Sequence, residues 1–298
     1  MSIPARDIPA GTPAGSPHTE GFAFVQALAA ELSSGKVDLP SFPDIALRVR
    51  KVLSDEEVAQ EKVVRVIGSE PMLAARLMQI ANSAAINFSG RPITELRTAI
   101  ARLGFNMVRS AAIAFAMSQL KKSDTLKGLE QPLDELWQTS AGVAAMSYVV
   151  ARRFSGVNPD TAMLAGLLHG IGRLYILTRA PAYPRLLADA ETYGTIVREW
   201  HAPIAKALLE NWDMAEEIVS AVSEYEDFER QHGGAPDLTD VLTVSYLLSA
   251  FKDHPETLEL NMHDVTACAR LHIDAAGYLK LIEESQHEID ALRAALGV

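Results

Sequence analysis

Cysteine is nearly absent from this chain. Cys268 is the single one among 298 residues, which excludes an intrachain disulfide and a cysteine-rich zinc site, and a reducing cytoplasm fits that usage. No uninterrupted apolar run of about 18 residues stands out, so no membrane helix is expected. The N-terminus lacks the basic-then-apolar pattern of a secretory signal. Basic residues are also in deficit: 27 Lys+Arg against 38 Asp+Glu give a net charge of −11. An acidic surface disfavours non-specific nucleic-acid binding. No glycine-rich phosphate loop follows an expected strand, and no Gly-x-Ser-x-Gly elbow occurs. Cys268 has no neighbouring base in sequence and reads as a small buried hydrophobe.

What is present is helical periodicity. Apolar residues make up 48% and charged residues 22% of the chain, the balance of an ordinary globular protein with ample length for a core. Residues 1–19, rich in Pro, Gly and small side chains, read as a mobile tail. Phe22–Leu32 shows helical spacing and ends at Gly35, a plausible C-terminal cap. Residues 44–53 and 56–67 read as two amphipathic helices. A third starts at Ser69-Glu70-Pro71, with Ser69 as cap and Pro71 in the first turn, and carries Leu73, Leu77 and Ile80 on one face. Helices over Ile93–Leu103 and Asn106–Leu120 are separated by Gly104. This helix–Gly–helix pattern invites a DNA-reading interpretation, but its second half offers Arg109 as the lone basic side chain before Lys121, so core packing is the better reading.

Lys121–Pro132 is polar and reads as a linker between two helical lobes. Residues 133–154 form the next helix, and Asn158-Pro159 cap and open another. The run Leu164-Ala-Gly-Leu-Leu-His-Gly-Ile-Gly-Arg-Leu174 is apolar on every side, as in a helix buried within a helical protein. Gly166, Gly170 and Gly172 would weaken an exposed helix, and they imply close approach of another backbone or a ligand. His169 lies inside this run, and an isolated buried histidine is more often a satisfied core residue than a ligand. Arg185–Tyr193 begins a further helix. The segments 240–250 and 263–294 supply two or three more. The remaining histidines (His18, His232, His254, His263, His272, His287) sit in polar contexts without ligand spacing and read as solvated.

Several of these segments, taken together, resemble the HDOD domain, a degenerate relative of the HD and HD-GYP metal phosphohydrolases. They are the Leu-Pro-Ser-Phe-Pro opening at 39–43, the run SEPMLAARLMQIANSA (69–84), ITELRTAIARLGFNMVRSAAI (93–113), Leu136-Trp137-Gln138-Thr139-Ser140, GLLHGIG (166–172) and REWHAPIAKALLENWDM (198–214). The resemblance covers residues 36–250. It implies an all-α fold, with an N-terminal lobe over 36–120 and an HD-like lobe over 133–250. A helix over 20–35 precedes the domain and a helical extension over 251–298 follows it.

In the active relatives, adjacent His and Asp residues bind a divalent metal that activates water. Here the resemblance places Gly170 at the Asp position, Thr139 at the first ligand position, and Tyr225 and Glu226 where a His-His pair stands; His169 and His201 survive. Two imidazoles are a poor set for a catalytic ion. The resemblance therefore implies lost phosphohydrolase chemistry, with no metal or other cofactor, in a cytoplasmic bacterial signalling protein that regulates other signalling proteins by contact. His169, His201, Trp137, Arg173 and Tyr225 are candidates for lining the relic cleft. Two alternatives stand beside this: a residual phosphohydrolase using His169, His201 and Glu226 around a metal, and a nucleotide sensor in which Arg173 and nearby amides hold a phosphate without hydrolysis. Partner identity and oligomeric state, a homo-oligomer included, are left open.

Overall fold

The computed structural model describes residues 16–35, 37, 39, 44–53, 55, 58–83, 86, 87, 90–120, 126–251, 254, 257, 262 and 264–296, the side chains of 50 and 275 excepted. All regular structure among them is helical. Residues 1–15, Pro40–Pro43, Lys121–Thr125 and His263 lie outside the described residues, and so do the expectations that fall on them.

The first helix, α1, runs Pro17–Ser34 and so takes in residues expected in the tail. Its start is fixed locally. Ser16 accepts a hydrogen bond from the Thr19 amide, Pro17 sits in the first turn, and Glu20 complements the helix N-terminus. Gly35, at φ 63°, closes it as the sequence implied. Helices α2 (Asp44–Leu53), α3 (Gln60–Gly68), α4 (Pro71–Ala81) and α5 (Leu96–Leu120) build the N-terminal lobe. The cap expected at Ser69 is instead Glu70, whose side chain makes no capping bond. The Ser69 hydroxyl donates back to the Val66 carbonyl, closing α3 rather than opening α4. Leu73, Leu77 and Ile80 are buried together as the helical stripe requires.

The helix expected from Ile93 starts at Leu96. Asn82 is the reason: its side chain accepts from the Ile93 amide at 2.7 Å and donates to the Ile93 carbonyl at 2.8 Å. Both backbone groups of Ile93 are thereby engaged outside any helix. Gly104, at φ 73° and ψ 167°, breaks α5 into the two segments expected on either side of it. The Arg109 guanidinium turns inward to the Leu53 carbonyl at 2.7 Å.

The HD-like lobe contains α6 (Glu130–Phe154), α7 (Pro159–Leu168), α8 (Ile171–Arg179), α9 (Pro184–Ala188), α10 (Ala190–Asn211), α11 (Glu216–Glu224) and α12 (Leu238–Ala250). Asn158 caps α7 by accepting from the amides of Asp160 and Thr161. The helix expected over Arg185–Tyr193 is two helices, because Asp189 accepts from the Thr192 amide and caps α10. Helices α13 (Thr266–Leu271) and α14 (Ala275–Leu296) follow among the described residues. Every residue of α7 from Thr161 onward is buried, because α6, α5, α11 and α12 surround it. Helix α14 spans the lobes. It packs on α6, where Arg153 meets Glu284 at 2.6 Å and Arg152 meets Glu288, and Arg76 of α4 reaches its Leu296 carbonyl at 2.6 Å.

Two stretches, Leu96–Leu120 and Pro159–Ala182, are long and apolar enough to cross a membrane by length and composition alone, a possibility the sequence reading did not flag. Their apolar windows are 67% and 89% buried inside the protein, which accounts for the composition through core packing.

Candidate functional site

The glycines of the central run are where neighbouring elements touch. A Cβ on Gly166 would lie 2.7 Å from the Ala144 Cα of α6. One on Gly172 would lie 1.9 Å from the His201 carbonyl oxygen of α10. Of the two explanations open in the sequence, close backbone approach accounts for both. Gly170 differs, since its Cβ would meet only side chains, Leu136 Cδ1 at 3.0 Å and Ser140 Oγ at 3.1 Å.

This packing brings His169, at the end of α7, towards His201 on α10 and towards Tyr225 and Glu226 just past α11. Both imidazoles are 2% exposed. His169 Nδ1 donates to the Gly166 carbonyl at 2.7 Å, which leaves Nε2 as the acceptor nitrogen of the neutral ring. Burial pulls its pKa down to about 4, so the ring is neutral near pH 7. The Tyr225 ring stands edge-on to His169 at 5.5 Å between centroids and lies 5.0 Å from Tyr246 of α12. Burial pushes the Tyr225 hydroxyl well above the usual tyrosine range, and the adjacent Glu226 charge adds to this.

Glu226 is the charged centre of the group. One carboxylate oxygen accepts from Arg173 at 2.5 Å and the other from His201 Nε2 at 2.8 Å. Burial by itself would raise this carboxyl, but the hydrogen bond from His201 and the Arg173 charge outweigh it and hold it at about 2. His201 Nδ1 is buried without a hydrogen-bond partner.

Four of the five residues expected to line a cleft thus come together: His169, His201, Arg173 and Tyr225. Trp137 is buried in the core, and no described hydrogen bond, ion pair or ring contact ties it to the group. Thr139 is exposed, and its hydroxyl donates to the Glu135 carbonyl of its own helix at 2.9 Å. Tyr246 was not singled out by sequence; a tyrosine inside the apolar run of α12 was the available signal.

The divalent metal of HD enzymes does not fit this donor set. Gly170 supplies no carboxylate, Thr139 faces its own backbone, and both Glu226 oxygens already accept hydrogen bonds, from Arg173 and His201. Among the described residues, the His/Asp/Glu group close enough to share an ion is His232, Asp237 and Asp240. Its carboxylates are likewise taken. Arg230 meets Asp237 at 2.8 Å, and Arg270 and His232 meet Asp240 at 3.1 and 2.9 Å. His232, read as solvated, instead fastens the loop after α11 to α12. Cys268 is buried, and desolvation raises its thiol to about 12, as suits an inert core residue.

Comparison with known proteins agrees with this architecture. A solved structure from Shewanella amazonensis, described as a candidate metal-dependent phosphohydrolase, superposes with a TM-score of 0.74 at 27% identity, over 93% of this chain and 99% of that one. An HDOD domain protein of unknown function from Geobacter sulfurreducens gives 0.61 at 26% identity, over 91% and 96%. A candidate signal transduction protein from Marinobacter aquaeolei gives 0.59 at 19% identity, over 95% of this chain and 67% of that one, a likeness of fold. In sequence, an uncharacterized protein of Treponema pallidum is 22% identical over 209 residues, and the match spans 65% of this chain but 39% of the relative's length. The family model for the HDOD domain matches residues 39–228. The chain belongs to the HDOD domain family.

Proposed function

We propose that this protein is a non-catalytic regulatory module of bacterial signal transduction, working in the cytoplasm through contacts with other signalling proteins rather than through turnover. The observation that carries this reading is the bridge Arg173–Glu226–His201. A guanidinium supplies the positive charge beside Glu226 that a metal would supply in an HD enzyme, and both carboxylate oxygens are occupied. A centre neutralised from within holds its helices in register without a cofactor and offers no open coordination position for an activated water.

The alternative is a residual phosphohydrolase built on His169, His201 and Glu226. The description of the Shewanella protein favours it, as does the free Nε2 of His169. One experiment separates the two. The purified protein is incubated with manganese, iron or zinc, excess ion is removed, and bound metal is measured for wild type and His169→Ala. No retained ion supports the regulatory reading. A stoichiometric ion lost in His169→Ala overturns it in favour of the enzyme.

A further inference from the structure

Helix α14, which lies beyond the HDOD match, packs beside α6 and α12 and borders a partly open cavity of about 590 Å³. That volume falls within the roughly 300–1,000 Å³ usual for small-molecule sites. Its walls are mixed. Met146, Ile282 and Ile289 are among its apolar residues, Gln138 and Gln286 bring amides, and Arg293 is its single charged residue among the described ones. Among the described residues no Asp or Glu lines it.

Among the described residues Arg293 lacks the carboxylate partner that several other arginines have. Arg152, Arg153, Arg173, Arg230 and Arg270 all sit on carboxylates. Arg293 makes no ion pair among the described residues. It donates to Gln138 Oε1 at 3.3 Å, and its Nε is buried without a hydrogen-bond partner. A guanidinium without an ion pair among the described residues, on a cavity whose described lining carries no carboxylate, suits an anion. One cation with no second Arg or Lys among the described lining residues matches a monoanion, and the apolar walls match an apolar body. We propose that this cavity binds a small amphipathic carboxylate, with its head on Arg293 and its apolar body along Met146, Ile282 and Ile289. Tyr246 lines the same cavity, and its ring lies 5.9 Å from that of His169, so an occupant sits one ring away from the Glu226 centre.

The test is calorimetric titration of the full chain with decanoate and with indole-3-acetate, decanol serving as the neutral control. The expected result is saturable one-to-one binding of at least one carboxylate, weakened about tenfold or more by Arg293→Gln, while decanol is unaffected by that change. Gly142→Leu is the second variant. Gly142 lines the cavity, and a Cβ there meets nothing within 4 Å, so this variant should fill the cavity, abolish binding and keep the melting temperature of the free protein. The proposal is overturned if neither carboxylate saturates below about 1 mM, or if binding survives both substitutions unchanged. Because the readout involves no metal, the result is independent of whether the His169 centre holds one.

Discussion

Gly172 and His201 lie so close that a Cβ on the former would sit 1.9 Å from the carbonyl oxygen of the latter. The contact joins α8 to α10 backbone to backbone, and no side-chain rotation can relieve an intrusion there. Gly172→Ala should therefore cost at least the ~1–3 kcal/mol typical of overpacking. Gly142→Ala, where a Cβ meets nothing, should be neutral or stabilising by up to ~1 kcal/mol through helix propensity. Urea unfolding of the two variants beside wild type checks the contrast, and equal effects would show that α8 and α10 are farther apart.

The buried His169 makes stability depend on pH. Its folded pKa is lowered from 6.5 to about 4 by burial, so the unfolded chain binds the proton first as pH falls. The contribution is fully present above pH 6.5 and is lost between there and about pH 4, a change on the order of 3 kcal/mol. Denaturant unfolding across that window should show the loss in wild type. His169→Gln, which cannot titrate, should flatten it.

Glu226 titrates lower still. Its carboxyl is held at about 2 rather than 4.5, so its contribution is present above pH 4.5 and fades as pH falls towards about 2. Arg173→Met removes the guanidinium charge beside the carboxylate and should raise the Glu226 pKa, which carboxyl-resolved NMR titration reads directly. The Arg173 and Glu226 side chains are 27% and 32% exposed. A double-mutant cycle with Glu226→Gln should accordingly give a coupling on the order of 1 kcal/mol, as for a solvent-screened pair. No coupling would mean that the bridge is ornamental.

Asn82 holds both backbone groups of Ile93. Asn82→Ala leaves an amide and a carbonyl unmet and should cost about 1–3 kcal/mol. Asn82→Asp keeps the acceptor but not the donor and should fall between. Thermal melts of both variants test the ranking.

Much of the fold was legible because its signals are local. Asn158-Pro159 announced α7, Gly35 closed α1, Gly104 divided α5, and Leu73, Leu77 and Ile80 marked a buried face. Where boundaries moved, a contact invisible to periodicity decided them. Ile93 is kept out of α5 by a side chain 11 residues away, and the Asp189 carboxylate divides α9 from α10. At the site, the sequence gathered His169, His201, Arg173, Tyr225 and Glu226 through family resemblance. Their pairing could not be read there, since Arg173 and Glu226 are 53 residues apart. The network of His232 with Asp240, Arg230 and Arg270 escaped for the same reason.

By itself the sequence determined the helical class and the family, and it placed Gly170 directly after His169. Periodicity, caps and the identity of residue 170 are properties of neighbours along the chain. Only the tertiary structure decided that Gly166 and Gly172 serve helix contact, that Arg173 rather than an open position faces Glu226, and that Arg293 meets no carboxylate among the described residues on a cavity beside α14. Charge pairing and close packing depend on distances across the fold, which spacing along the chain does not encode.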